Sequence, residues 1–187
     1  MTIRQRWIDM LHTVATGTRK TRTLLTPVGL LIFGLFTFSF VGAAHVVNVF
    51  FQLPGLFPES LRRPLSVSLI TVGIALIGWS AFCFLRVRGT PVPFNPPPEL
   101  VISGPYRLTR NPMLSGVFLL LFGIGAALNS FSLVLFFTPA YILLNVWELK
   151  RIEEPELEKR LGEDYRRYKN ETPMFIPGMK FRRSRKT

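Results

Sequence analysis

Four stretches of this chain contain no Asp, Glu, Lys or Arg: Pro27–Phe51, Leu65–Leu85, Pro112–Leu128 and Phe131–Trp147. A helix of about 17–25 apolar residues crosses the hydrocarbon core of a bilayer. Hydrophobic residues make up 48% of the 187 positions, but it is their blocking into runs that decides the class. The chain is expected to be an all-α integral membrane protein with four transmembrane helices. Only Asn129 and Ser130 separate the last two runs, so 112–147 reads as a tight helical hairpin. The first run is too long for the core of a cleavable signal peptide, and no small-x-small cleavage site follows it.

The placement of charge orients these spans. The net charge is +12. Five basic residues precede Pro27, two lie between the first two runs, four lie between Arg86 and Asn111, none lies in the hairpin turn, and twelve follow Trp147. All but two of the 23 cations therefore fall on one side of an alternating four-span topology. The positive-inside rule puts both termini and the long middle loop in the cytoplasm. Cations that flank spans meet anionic headgroups first, so membrane lipids are the expected partners and nucleic acid is not. The single cysteine, Cys83, allows neither an intrachain disulfide nor a cysteine-cluster metal site, and no metal is expected.

The order along the chain follows. Residues 1–26 form an N-terminal interfacial segment, with Ile3, Trp7, Met10, Leu11 and Val14 at near-helical spacing, closed by the polar hinge "TGTRKTR". Residues 27–85 hold transmembrane helices 1 and 2, joined by the outer loop "LPGLFPESLRRP". His45, Asn48 and Gln52 sit toward the end of the first span, and with no acidic partner in any span they suit helix packing or the interface. Residues 86–187 form the remainder: a proline-rich loop, the hairpin and a charged C-terminal segment. The stretch "RGTPVPFNPPPEL" from Arg88 to Leu100 can be neither helix nor central strand and suits a stiff, extended wall. After Trp147 the apolar residues Leu149, Ile152, Leu157, Leu161, Tyr165 and Tyr168 recur every three to five, an amphipathic helix along the cytoplasmic surface, interrupted near Pro155 and Gly162.

The chemistry gathers where the hairpin opens. "GPYRLTRNPM", Gly104 to Met113, sets a turn, an aromatic hydroxyl and two arginines directly before an apolar helix. Pro112 fits the first helical position, where its missing N–H costs nothing, which puts Asn111 at the N-cap. A helix start offers free N–H groups and partial positive charge, and Arg110 beside it makes a place for an anion such as a carboxylate. Both open ends of a hairpin lie on the same side, so Arg110 and Asn111 should meet the acidic pair Glu153-Glu154 past the end of span four. The bland alternative is that Glu153 and Glu154 are a solvated face paired with Lys150 or Arg151. A ligand with a carboxylate, an ammonium, a further cation and ribose hydroxyls suits the mixture, and S-adenosylmethionine has all four.

These residues also carry a resemblance. "ELVISGPYRLTRNPM", then a hairpin, then "EEPELEKRLGEDYRRYKNETPMFIP" resembles the isoprenylcysteine carboxyl methyltransferase and phospholipid methyltransferase superfamily. Its pattern reads L-V-x-x-G-P-Y-R-x-x-R-[HN]-P-x-Y, then E-E-x-x-L-x-x-x-[FL]-G-x-x-Y-x-x-Y and P-x-x-x-P. The likeness runs from Arg88 to Pro177, and "GTPVPFNPP" is similar to bacterial members, which implies a bacterial inner membrane. The chain departs from the pattern twice: Pro98-Glu99 stands where a His often precedes the Leu-Val pair, and Leu114 replaces the Tyr after the proline.

The resemblance implies S-adenosylmethionine bound on the cytoplasmic side between hairpin and C-terminal segment, a methyltransferase, and a lipidic or amphipathic methyl acceptor. Leu100 and Val101 would line the adenosine region near Tyr106; Arg110, Asn111 and Pro112 match the basic signature; Glu153 and Glu154 match the acidic pair near cofactor and acceptor. In-line displacement at a sulfonium chiefly needs alignment. Arg110 would orient a carboxylate acceptor of the isoprenylcysteine kind, and Glu154 would take the proton of an amine. Two other readings stay open: an NADPH-dependent membrane reductase of the sterol-reductase type, and a non-catalytic membrane protein retaining the fold.

Overall fold

The computed structural model describes residues 3–15, 17–87, 90, 97 and 99–178, and among them there is no strand. Most of the proline-rich wall expected at Arg88–Leu100, and the basic tail from 179 on, lie outside the described residues. Helix α1 is Ile3–Ala15, α2 is Arg19–Phe50 and α3 is Glu59–Arg86. A single 3-10 turn, Gly104–Arg107, leads to α4, Pro112–Ala127. The chain then continues helically through a wide turn at Leu133–Phe137, α5 at Thr138–Glu148, a second wide turn at Leu149–Glu153, and α6 at Glu154–Glu171.

This is an all-α membrane protein. Three helical stretches are long and apolar enough to cross a bilayer: Leu24–Phe50, Glu59–Arg86 and Leu133–Glu171. The fourth expected span, Pro112–Ala127, has 16 residues, about 24 Å of helix against a core of about 30 Å. It is the shortest member, and it is the one whose first residues build the site. The polar hinge also differs from expectation: α1 ends at Ala15 and Arg19 already begins the long helix, so most of the hinge sequence is helical.

Helices α3 and α4 are joined along glycines. A Cβ on Gly116 would stand 2.8 Å from the carbonyl oxygen of Gly73, and one on Gly73 would stand 2.8 Å from that of Gly116. Hydrocarbon solvent gives apolar side chains no reason to cluster, so backbones that touch over small residues supply the packing instead. The hairpin turn works as its sequence suggests. Asn129 takes φ 50, a left-handed position that Asn tolerates better than most residues. Ser130 caps the next helix by accepting the Leu133 N–H at 3.2 Å, and the outer loop is clasped on through Phe57 N–H to Asn129 Oδ1 at 2.9 Å.

Helix α2 is tied to the rest by a few polar contacts. Thr37 Oγ1 and Tyr141 OH lie 2.8 Å apart, Ser132 Oγ donates to the Ala44 carbonyl at 2.8 Å, and the Ser132 N–H reaches Asn48 Oδ1 at 3.0 Å. Phe36 and Phe40 pack on the Tyr141 ring. Asn48 thus has the packing role expected of it, while His45 is exposed. The core beneath the site is Val117, Phe118, Leu121 and Tyr141, with Phe175 from the C-terminal segment laid against it.

Candidate functional site

One wall of the site begins at Gly104, whose φ of +58 belongs to glycine and whose absent side chain lets Trp79 and Cys83 close in. Pro105 then fixes the 3-10 turn and drives the Tyr106 ring inward, edge-on to Phe84 at 5.2 Å. Burial pushes the Tyr106 hydroxyl far above the usual phenol range, so it stays protonated. Four residues on, Arg110 and its neighbour Asn111 are stitched to the C-terminal segment. The Arg110 N–H donates to the Pro173 carbonyl at 2.9 Å and the Asn111 N–H to that of Met174 at 3.2 Å. Asn111 is the N-cap and Pro112 opens α4, as their order implies, but Asn111 makes no side-chain cap bond. These two amides, which precede the helix, are taken by the C-terminal segment.

The facing wall comes from the second wide turn. In an α-helix residues five apart point about 140° from each other, since each residue turns 100°. A turn closed by i→i+5 bonds brings them toward one face, and Leu149–Glu153 is such a turn. Glu148 and Glu153 consequently line the same cavity. Glu153 interacts electrostatically with the negative charges of Glu148, Glu156 and Glu154, and with the positive charge of Arg160.

Glu154 points elsewhere. It is 5% exposed, accepts Arg110 Nη1 at 2.6 Å on one oxygen and contacts Lys169 Nζ at 2.5 Å with the other. It is not on a solvated face, and its partners are not Lys150 or Arg151. The Arg110 side chain is 10% exposed, and its Nε has no hydrogen-bond partner among the described residues. Arg160 spans from Glu156 at 3.0 Å to the Pro97 carbonyl at 3.2 Å, holding one described residue of the proline-rich loop.

Helix α6 is folded at Gly162, where φ 59 and ψ −131 break the helical path. The fold returns Tyr165 and Tyr168 to the cavity, and the Tyr168 hydroxyl donates to the Tyr106 carbonyl at 2.7 Å. Helix α1 lies outside this wall against α6, with Lys159 Nζ at 2.8 Å from Asp9 Oδ1 and Ile8 buried.

Of the residues singled out in the sequence, Leu100, Val101, Tyr106, Arg110, Asn111 and Glu153 line one cavity. It encloses about 850 Å³, part of it open to solvent. Pro112 is buried beneath it and Glu154 stands behind Arg110. Glu148, Arg160, Tyr165 and Tyr168 also line it. The tyrosines carry helical spacing, which reads equally as packing; Glu148 has no signal in a 3.6-residue period because only the wide turn brings it round. No group of three His, Cys, Asp or Glu side chains among the described residues could hold a metal ion.

A family model described as phospholipid methyltransferase matches residues 61–164, which takes in α3, α4, α5 and the start of α6. No curated protein and no solved structure matches the chain.

Proposed function

The chain belongs to the phospholipid methyltransferase family, and from that premise we propose that it transfers a methyl group from S-adenosylmethionine to a lipidic or amphipathic acceptor in the cavity between Arg110 and Glu153. The observation that carries this reading is one cavity lined by the Arg110 guanidinium and by two carboxylates, Glu148 and Glu153. The first suits a carboxylate and the second suits ammonium and sulfonium cations. Leu100, Val101 and Leu157 add apolar surface for a flat base.

When bound, the cofactor supplies a methyl group on positively charged sulfur. Arg110 would fix its carboxylate, with the Asn111 side chain beside it. Glu154 has both oxygens engaged by Arg110 and Lys169, so the role of base, first read onto Glu154, passes to Glu153. Where the acceptor is an amine, Glu153 takes its proton; where it is a carboxylate, no proton needs moving. Tyr106, buried and protonated, holds the turn and has no part in proton transfer. The distribution of cations supports a cytoplasmic cavity and cytoplasmic termini, in a bacterial inner membrane by the likeness of the proline-rich loop.

The test is titration of the purified protein in detergent with S-adenosylhomocysteine and, separately, with NADPH, followed by turnover on lipid extracts with labelled donor. S-adenosylhomocysteine should bind, Arg110→Ala should lose that binding, and Glu153→Gln should bind yet turn over slowly. Binding of NADPH alone would replace this reading with the reductase, and binding of neither would leave a non-catalytic protein.

A further inference from the structure

Lys169 lies 15 residues after Glu154 in α6, which in a straight helix would separate them by about 22 Å. They are in contact instead, Nζ at 2.5 Å from Glu154 Oε2 and 2.8 Å from Glu158 Oε1. The backbone break at Gly162 doubles the helix back to make this possible. We infer that Lys169 is a positioning residue for the carboxylate end of the cofactor: it neutralises Glu154 from behind, so that Arg110 keeps its positive charge for the ligand. The inference rests on the reading that Arg110 binds that carboxylate.

The argument is one of charge. A buried carboxylate is stable only with a partner. If Arg110 were the sole partner of Glu154, the two would form a neutral pair and the guanidinium would offer little net field to the cavity. Lys169 on the second oxygen gives the trio Arg110–Glu154–Lys169 one excess positive charge. Glu158, which also touches Lys169, is more exposed, with 34% side-chain accessibility against 6% for Glu154, so solvent screens it. Glu154 engages Arg110 through Nη1, and Arg110 itself lines the cavity. Lys169 is absent from the cavity lining and touches nothing bound there; it acts through Glu154 and Arg110.

The consequence is selective. Loss of Lys169 should weaken ligands that carry the amino-acid carboxylate and spare those that lack it. The experiment compares S-adenosylhomocysteine with 5′-methylthioadenosine, which has the same nucleoside and no amino acid, by calorimetry on wild type, Lys169→Met, Lys169→Arg and Arg110→Ala. Lys169→Met should bind S-adenosylhomocysteine about tenfold more weakly, the scale of one lost charge-assisted bond. It should bind 5′-methylthioadenosine as wild type does, which also reports that it is folded. Lys169→Arg should restore most of the loss. Equal weakening of both ligands would mean a merely structural lysine and would overturn the inference, as would wild-type affinity for both. In those cases Arg110→Ala decides separately about the reading beneath it: selective loss of S-adenosylhomocysteine keeps that reading, and retention removes it.

Discussion

Replacing Gly162 with alanine isolates the fold-back of α6. The residue sits at φ 59, ψ −131, a combination that L-residues with a Cβ scarcely adopt. A Cβ built there meets nothing within 4 Å, so no steric clash with other residues enters and the cost is conformational alone. Such backbone strain is of order 1–3 kcal/mol. For a chain of this size that is a fall of about 2–12 °C in the unfolding midpoint, measurable by circular dichroism in detergent. Gly34 is the internal control: it lies inside α2, and a Cβ there also meets nothing within 4 Å. Gly34→Ala should be neutral or stabilising by up to about 1 kcal/mol, since glycine is a poor helix former. A Gly162→Ala midpoint equal to or above that of Gly34→Ala would refute the claim that this backbone angle is required. The same variant, if folded, should also weaken S-adenosylhomocysteine binding, because Lys169 reaches Glu154 only across the bend.

Three further outcomes follow from the packing. Gly116→Val puts a branched side chain where even a Cβ would lie 2.8 Å from a backbone oxygen; it should destabilise by at least about 1–3 kcal/mol, read as a lowered midpoint or failed extraction. Glu154→Ala should cost about 3–5 kcal/mol, the loss seen when a buried ion pair is broken from one side, and so should unfold earlier than the wild type in the same melt. Tyr168→Phe should cost about 1–3 kcal/mol by leaving the buried Tyr106 carbonyl without its donor, with ligand affinity falling as the turn loosens; an unchanged melting curve would show that the bond carries no weight.

The parts of the molecule that were legible in the sequence are those governed by one residue's own chemistry. Pro112 fits the start of a helix, Asn129 and Ser130 suit a turn between two apolar runs, and a closed hairpin puts Arg110 near the acidic pair, where it meets Glu154. What was not legible depends on departures from regular periodicity. Glu153 and Glu154 are adjacent in sequence and look equivalent, yet one lines the cavity and the other locks Arg110, because the turn at Leu149–Glu153 is wider than an α-helix. That widening also recruits Glu148. Gly162 was readable as an interruption but not as a reversal, since a glycine states that an unusual angle is permitted without stating which. Lys169 reaches Glu154 only through that reversal, so its spacing in the sequence carries no signal of the contact.

The backbone bonds from Arg110 and Asn111 to Pro173 and Met174 have a consequence for biosynthesis. A ribosome makes the basic lip some sixty residues before it makes the carbonyls that hold it. Until those carbonyls emerge, Glu154 can hold the Arg110 side chain, but the backbone of the lip lacks its two partners from the C-terminal segment. The lip is therefore closed late in translation, after the apolar rods have been made.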